Sequence, residues 1–95
     1  MTRIRIYPPA GPIGSPERTL AAAPATLAGR RLAVLDNGKP GAARLLGGVA
    51  RGLAERTGAS FAGVFQKGSA ATPCEDAVFE EILSAADVVL TGTAD

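Results

Sequence analysis

Three short polar clusters hold the side chains best suited to binding a small molecule: Asp36-Asn37-Gly38-Lys39, Gln66-Lys67 and Thr91-Gly92-Thr93-Ala94-Asp95. Amides, carboxylates and hydroxyls can orient a ligand, and Lys39 and Lys67 are cations able to hold a carboxylate or a phosphate. Each cluster also has a plainer role. Asp36-Asn37-Gly38 is ordinary turn chemistry, because these residues tolerate left-handed backbone and cap helices. The lysines serve equally as solvated charges, and Thr91 to Thr93 as strand-exit residues. Gly38-Lys39-Pro40-Gly41 opens a helix and could cradle an anion. It lacks the G-x-x-x-x-G-K-[ST] spacing, and no G-x-G-x-x-G follows a strand, so neither common nucleotide fingerprint is present.

Cys74 is the lone cysteine, and the chain contains no histidine. At the start of a helix its thiolate would gain from the dipole. Without a histidine to activate it, a structural role outweighs a nucleophilic one, and Cys74 is a weak catalytic candidate. The missing histidine also removes the commonest general base and metal ligand. The carboxylates show no metal-binding spacing, so neither a metal nor another cofactor is expected.

The polar clusters gain meaning from the elements that precede them. Leu32-Ala33-Val34-Leu35 is a short apolar run without alternation, which suits a strand buried on both faces. Ala42, Leu45, Leu46, Val49, Ala50 and Leu53 then recur at helical spacing, with Arg44, Arg51 and Glu55 on the other face. Pro40 fits the first turn of this helix and Gly58 its end. Gly47, Gly48 and Gly52 each cost roughly 1 kcal/mol inside it, which predicts that the helix lies close to its sheet. Phe61-Ala62-Gly63-Val64-Phe65 reads as a second strand. Thr72 as N-cap, Pro73 as first helical residue and Glu75 as the returning side chain of a capping box open a second helix. Its apolar stripe is Val78, Phe79, Ile82 and Ala86, and Val88-Val89-Leu90 follows as a third strand. The order β-α-β-α-β is half of a doubly wound parallel α/β sheet over residues 31–95. In such sheets ligands bind beyond the carboxyl ends of the strands, where all three polar clusters fall.

Residues 1–30 follow another pattern. Thr2 to Tyr7 alternates polar and apolar residues, enough for a short strand on an edge or across a partner's surface. The prolines and glycines through Pro16 rule out regular structure, and Pro24 interrupts Leu20 to Ala28, leaving room for one helical turn. The segment reads as a Pro/Ala-rich extended arm.

Composition bounds the function. With 95 residues, 46% of them hydrophobic, and a net charge of +1, the chain is one small domain with no basic stripe for nucleic acid. No run of eighteen apolar residues suggests a membrane span, and the lone cysteine makes a reducing cytoplasm the default compartment.

Leu27-Ala28-Gly29-Arg30-Arg31-Leu32 running into Leu35-Asp36-Asn37-Gly38-Lys39-Pro40 resembles the opening of the U-G-S-C family of (seleno)proteins. The Lys67-to-Pro73 loop and the stretch Ala85 to Asp95 resemble it too, so the likeness covers residues 27–95. In that family the final stretch runs directly into selenocysteine or cysteine followed by Gly-Ser-Cys. The resemblance therefore implies a thiol- or selenol-dependent, redox-type enzyme acting on a small molecule, with its reactive pair immediately after Asp95. Selenocysteine is encoded by a codon otherwise read as stop, which would end a translated chain at this residue. On this reading the chain is a truncated or split subunit, inactive alone, with no catalytic residue of its own. Asp36, Asn37, Lys39, Gln66, Lys67, Thr91, Gly92, Thr93 and Asp95 would line the ligand side, and a second subunit or homo-oligomer partner would complete the sheet. The alternative is a non-catalytic small-ligand-binding or assembly subunit.

Overall fold

The computed structural model describes residues 3–7, 9 and 19–93. Its elements are β1 (Arg31–Asp36), α1 (Ala42–Thr57), β2 (Ser60–Gln66), α2 (Asp76–Ala85) and β3 (Val88–Thr91). The three strands form one parallel sheet in the order β2-β1-β3. This is the α/β arrangement that the apolar runs predict. β1 takes the centre because its side chains are apolar on both faces: Leu32, Ala33 and Val34 are all buried.

The steps from β1 to β2 and from β2 to β3 run in opposite directions across the sheet. Parallel crossovers are right-handed, so the two helices fall on opposite faces. α1 covers the face that carries Leu32 and Val34, and Leu46 and Ala50 close the core there with Leu53, Phe61, Val88 and Leu90. α2 packs on β2 and β1, with Ile82 buried.

β2 contains an irregularity that serves this packing. Leu32 pairs with Phe61, but the next β1 residue, Ala33, pairs with Gly63, so Ala62 is an extra residue. Gly63 sits at φ 120°, a backbone conformation that side-chain-bearing residues rarely adopt. The bulge turns both Phe61 and Val64 toward α1, three positions apart. The Arg51 guanidinium lies 5.1 Å from the Phe61 ring centre, and a Cβ on Gly47 would meet Val64 at 3.8 Å.

Arg31 and Asp87 fasten the amino ends of β1 and β3 together. Asp87 N–H donates to the Arg31 carbonyl at 2.8 Å, and Arg31 N–H donates to Asp87 Oδ2 at 2.8 Å. The guanidinium adds bonds to both carboxylate oxygens and one to the Ser84 carbonyl at the end of α2.

Several local expectations are corrected. α1 begins at Ala42, not at Pro40, because Gly41 lies at φ 83° and interrupts the helical path. Gly58, at φ 79°, ends the helix as expected. Leu45 and Val49 are largely exposed, and Gly47 takes the buried place between Leu46 and Ala50. Of the three helical glycines only Gly47 is pressed against the sheet; Gly48 and Gly52 have open space around them. α2 begins at Asp76, three residues later than the capping-box reading places it. Both Glu75 carboxylate oxygens accept from the Gly68 N–H at 3.0 Å, so this side chain ties down the loop and cannot close a box. In α2 Ile82 is buried, whereas Phe79 is 53% exposed.

The arm enters the body at Leu27, where Arg30 N–H bonds the Leu27 carbonyl and Gly29 N–H bonds Gly58. Residues 3–7 and 19–30 hold neither strand nor helix, and Ile4, Ile6 and Tyr7 are exposed. Thr2 and most of residues 8–18 lie outside the described residues.

The Arg31 side-chain and backbone hydrogen bonds hold the Asp87 carboxyl below its usual range. Its contribution is therefore present above the unfolded pKa, near 4, and is lost as pH falls through the lower folded value. Asp87→Asn should remove that dependence. Thermal melts at pH 6 and pH 3 should show a smaller acid-induced drop in Tm for the variant than for the native chain. Equal drops would assign the acid sensitivity to another group.

Candidate functional site at the carboxyl ends of β1 and β3

The loop leaving β1 leads to α1 and the loop leaving β2 leads to α2, on the opposite face of the sheet. Adjacent strands whose connections diverge leave a crevice at their carboxyl ends. Here it measures about 440 Å³ and is lined by Leu35, Asn37, Lys39, Lys67, Ala70, Cys74, Thr91 and Gly92. That volume lies within the range of small-molecule sites, roughly 300–1,000 Å³.

Two side chains shape the first wall. Asp36, buried at the end of β1, accepts from Gly38 N–H at 2.9 Å, and Asn37 Oδ1 accepts from Lys39 N–H at 3.0 Å. These successive turns, with Gly38 at φ 82°, fold the loop tightly beside the crevice. Asp36 acts as a loop anchor behind the wall, and its carboxylate does not line the opening.

Asn37 also reaches across to the chain leaving β3. Its Nδ2 donates to the Gly92 carbonyl at 3.1 Å and to Thr93 Oγ1 at 3.2 Å, with a longer contact to the Thr93 carbonyl at 3.4 Å. Thr91 Oγ1 donates to the Leu35 carbonyl at 3.0 Å. Thr93 is the one non-glycine residue with positive φ among the described residues, at 63°. A β-branched residue there is strained by about 1–3 kcal/mol. The Asn37 side chain holds that conformation in place.

The third wall is the loop between β2 and α2. Lys67 N–H bonds the Asp36 carbonyl, and Lys67 Nζ donates to the Thr72 carbonyl. Ser69 Oγ accepts from Ala71 N–H at 3.1 Å, and Glu75 secures Gly68. Cys74 is half-buried on this wall, and its thiol donates to the Glu75 carbonyl at 3.6 Å. Because α2 starts at Asp76, Cys74 precedes the helix and lies outside its first turn.

Five of the residues expected to bind ligand line one crevice: Asn37, Lys39, Lys67, Thr91 and Gly92. Asp36 and Thr93 stand behind it as supports. Gln66 lies at the exposed end of β2, with its amide nitrogen 3.4 Å from where a Gly38 Cβ would sit. Asp95 is outside the described residues. Leu35 and Ala70 were not foreseen; the place of Leu35 as the last apolar residue of β1, directly before the polar cluster, is the signal that could have placed it. Among the described residues no cluster of histidine, cysteine, aspartate or glutamate could hold a metal ion. No described helix is long and apolar enough to cross a membrane.

The sequence model of the UGSC family matches residues 5–95. The chain belongs to the UGSC family. The match extends into the amino-terminal arm, well before the segments from Leu27 onward that carry the visible likeness. No curated protein and no solved structure matches this UGSC-family chain significantly.

Asn37 should be the most sensitive support of the crevice. Asn37→Asp replaces its donor with a carboxylate facing the Gly92 and Thr93 carbonyls. Loss of these bonds should cost about 1–3 kcal/mol. Amide hydrogen exchange at Gly92 and Thr93 should accelerate while exchange at Val34 follows only the global stability. Unchanged exchange at Gly92 would show that the β3 exit is held by something else.

Proposed function

We propose that this chain forms the substrate-side wall of a thiol- or selenol-dependent UGSC-family enzyme acting on a small molecule. One observation carries this reading. Asn37 tethers Gly92 and Thr93 at the mouth of the crevice between β1 and β3. Chain leaving Thr93 in the direction of the family's reactive pair starts from a fixed point at that mouth. A selenol or thiol delivered there would meet a ligand already held by Asn37, Lys39 and Lys67. If the pair opened a following helix, the dipole would favour its ionised form, the state that attacks or exchanges. In this scheme Asp36 and Lys39 orient the ligand side, the first through the loop it anchors, and Cys74 is a wall residue.

A second reading, a non-catalytic ligand-binding or assembly subunit, is favoured by a different observation. Val89 on β3 is 41% exposed, and Phe79 and Leu83 on α2 are more so. Apolar surface of this kind suits a second subunit or a further copy of the chain completing the sheet.

The test begins with the source gene. The frame beyond codon 95 should encode selenocysteine or cysteine followed by Gly-Ser-Cys. In a chain extended through that motif, with cysteine at the first position, the new thiol should alkylate with iodoacetamide near neutral pH faster than free cysteine. Cys74 should label no faster than free cysteine. Once a turnover assay exists for the extended enzyme, Lys39→Gln should lower kcat/KM by about tenfold or more. A different frame beyond codon 95, or a motif thiol of ordinary reactivity, would leave the assembly reading in possession of the observations.

A further inference from the structure

The free edge of the sheet and the amino-terminal arm complement each other. Among the described residues β3 pairs with β1 alone, so its other side presents open backbone donors and acceptors. Its two faces differ. Val88 and Leu90 are partly buried on the side of α1, packed on the cluster of Leu32, Val34 and Leu46, whereas Val89 is 41% exposed on the opposite side. The helices on these faces carry opposite charge. α1 holds Arg44, Arg51 and Arg56 with the one acid Glu55, and α2 holds Asp76, Glu80 and Glu81 with no basic residue.

The arm offers a strand that fits both faces. Arginine and isoleucine alternate from Arg3 to Ile6, Tyr7 follows, and Ile4, Ile6 and Tyr7 are each at least 79% exposed. A strand laid beside β3 sends alternate side chains to the two faces of the sheet. With Ile4 and Ile6 on the α1 side, they continue the apolar surface of Val88 and Leu90. Arg3, Arg5 and Tyr7 then fall on the α2 side, the tyrosine ring beside Val89 and the guanidinium groups toward the acidic helix. The reverse facing would set both arginines beside the basic helix, so charge selects the first. The arm joins its own body beside β2, where Gly29 N–H bonds the Gly58 carbonyl and Ser60 N–H bonds the Arg30 carbonyl, across the sheet from the free edge of β3. A second copy can bring its free edge to the arm directly, and the chain between Tyr7 and Leu27 spans roughly 60 Å when extended, enough to cross to it. Exchange of arms satisfies both edges at once and closes a twofold dimer.

We infer that the segment from Arg3 to Tyr7 of one copy adds as a strand to the outer edge of β3 in a second copy, giving an arm-exchanged homodimer. This rests on the assembly reading of the exposed β3 surface. The experiment is sedimentation equilibrium of the 95-residue chain over a wide concentration range, with amide hydrogen exchange followed at the same concentrations. The chain should dimerise, and exchange in the arm and at the outer edge of β3 should slow as the dimer fills. Ile4→Asp combined with Ile6→Asp should weaken the dimer at least about tenfold, and Arg3→Glu combined with Arg5→Glu by a similar factor. Adding Glu80→Lys and Glu81→Lys to the second variant should recover most of that loss. Unchanged β1 amide shifts would show that each variant is folded.

A dimer that keeps its affinity in the Ile4→Asp, Ile6→Asp chain would overturn the arm exchange and leave the assembly reading standing on another surface. Arm protection that does not depend on protein concentration would put the strand on its own chain's edge and overturn the exchange. A chain that stays monomeric, with an unprotected arm, would overturn the inference together with the assembly reading beneath it.

Discussion

The structure depends on β1 being paired on both edges and buried on both faces. A strand in that position must be apolar on alternate residues of both sets, and Leu32, Ala33 and Val34 meet the requirement with small and medium side chains. The small size of Ala33 and Ala50 lets α1 and α2 lie near the sheet in a chain with only four aromatic residues. Polar residues enter only at the ends of this strand. At one end Arg31 grips Asp87, and at the other Asp36 and Asn37 organise the loops. β1 thus holds the core along its length and the candidate site at its carboxyl end.

The crevice is a consequence of the same arrangement. Because α1 and α2 lie on opposite faces of the sheet, the loops leaving β1 and β2 diverge at the carboxyl ends of these strands and leave room between them. Three loops distant in sequence meet there. Asn37 serves two of them at once, closing its own turn through Oδ1 and gripping the exit of β3 through Nδ2. A side-chain amide is well suited to this because it carries acceptor and donor on one rigid plane. The strained Thr93 backbone beside it fits a segment whose direction matters more than its local comfort.

The sheet is covered unevenly. α1 reaches across toward β3, where Leu46 approaches Gly92, whereas α2 lies on β2 and β1. The side of β3 away from α1 keeps Val89 exposed, close in sequence to the residues that Asn37 holds. Both readings of function use this asymmetry. In one it borders the place where the reactive pair would enter, and in the other it receives a partner.

The periodicity of apolar residues by itself determined the element order, the parallel α/β class and the location of the polar clusters at strand ends. The reason is that burial on two faces leaves a continuous apolar run, and burial on one face leaves a helical stripe. The family, too, was legible in the segments around Asp36, Lys67 and Thr91, which the matched region contains. Local rules failed where a distant residue competed for the same group. Glu75 looked like a capping-box residue, but Gly68 takes its carboxylate. Leu45 and Val49 continued the apolar stripe of α1, but the sheet turned out to reach Gly47 instead. Phe61 and Val64 share a face only because a bulge at Ala62 and Gly63 breaks the two-residue alternation. Tertiary structure alone decided the strand order β2-β1-β3, the joining of Asn37 to Gly92 and Thr93, and the entry of Leu35, Ala70 and Cys74 into one crevice. Each of these depends on contacts between segments dozens of residues apart, and a local pattern carries no information about which neighbour a strand will choose.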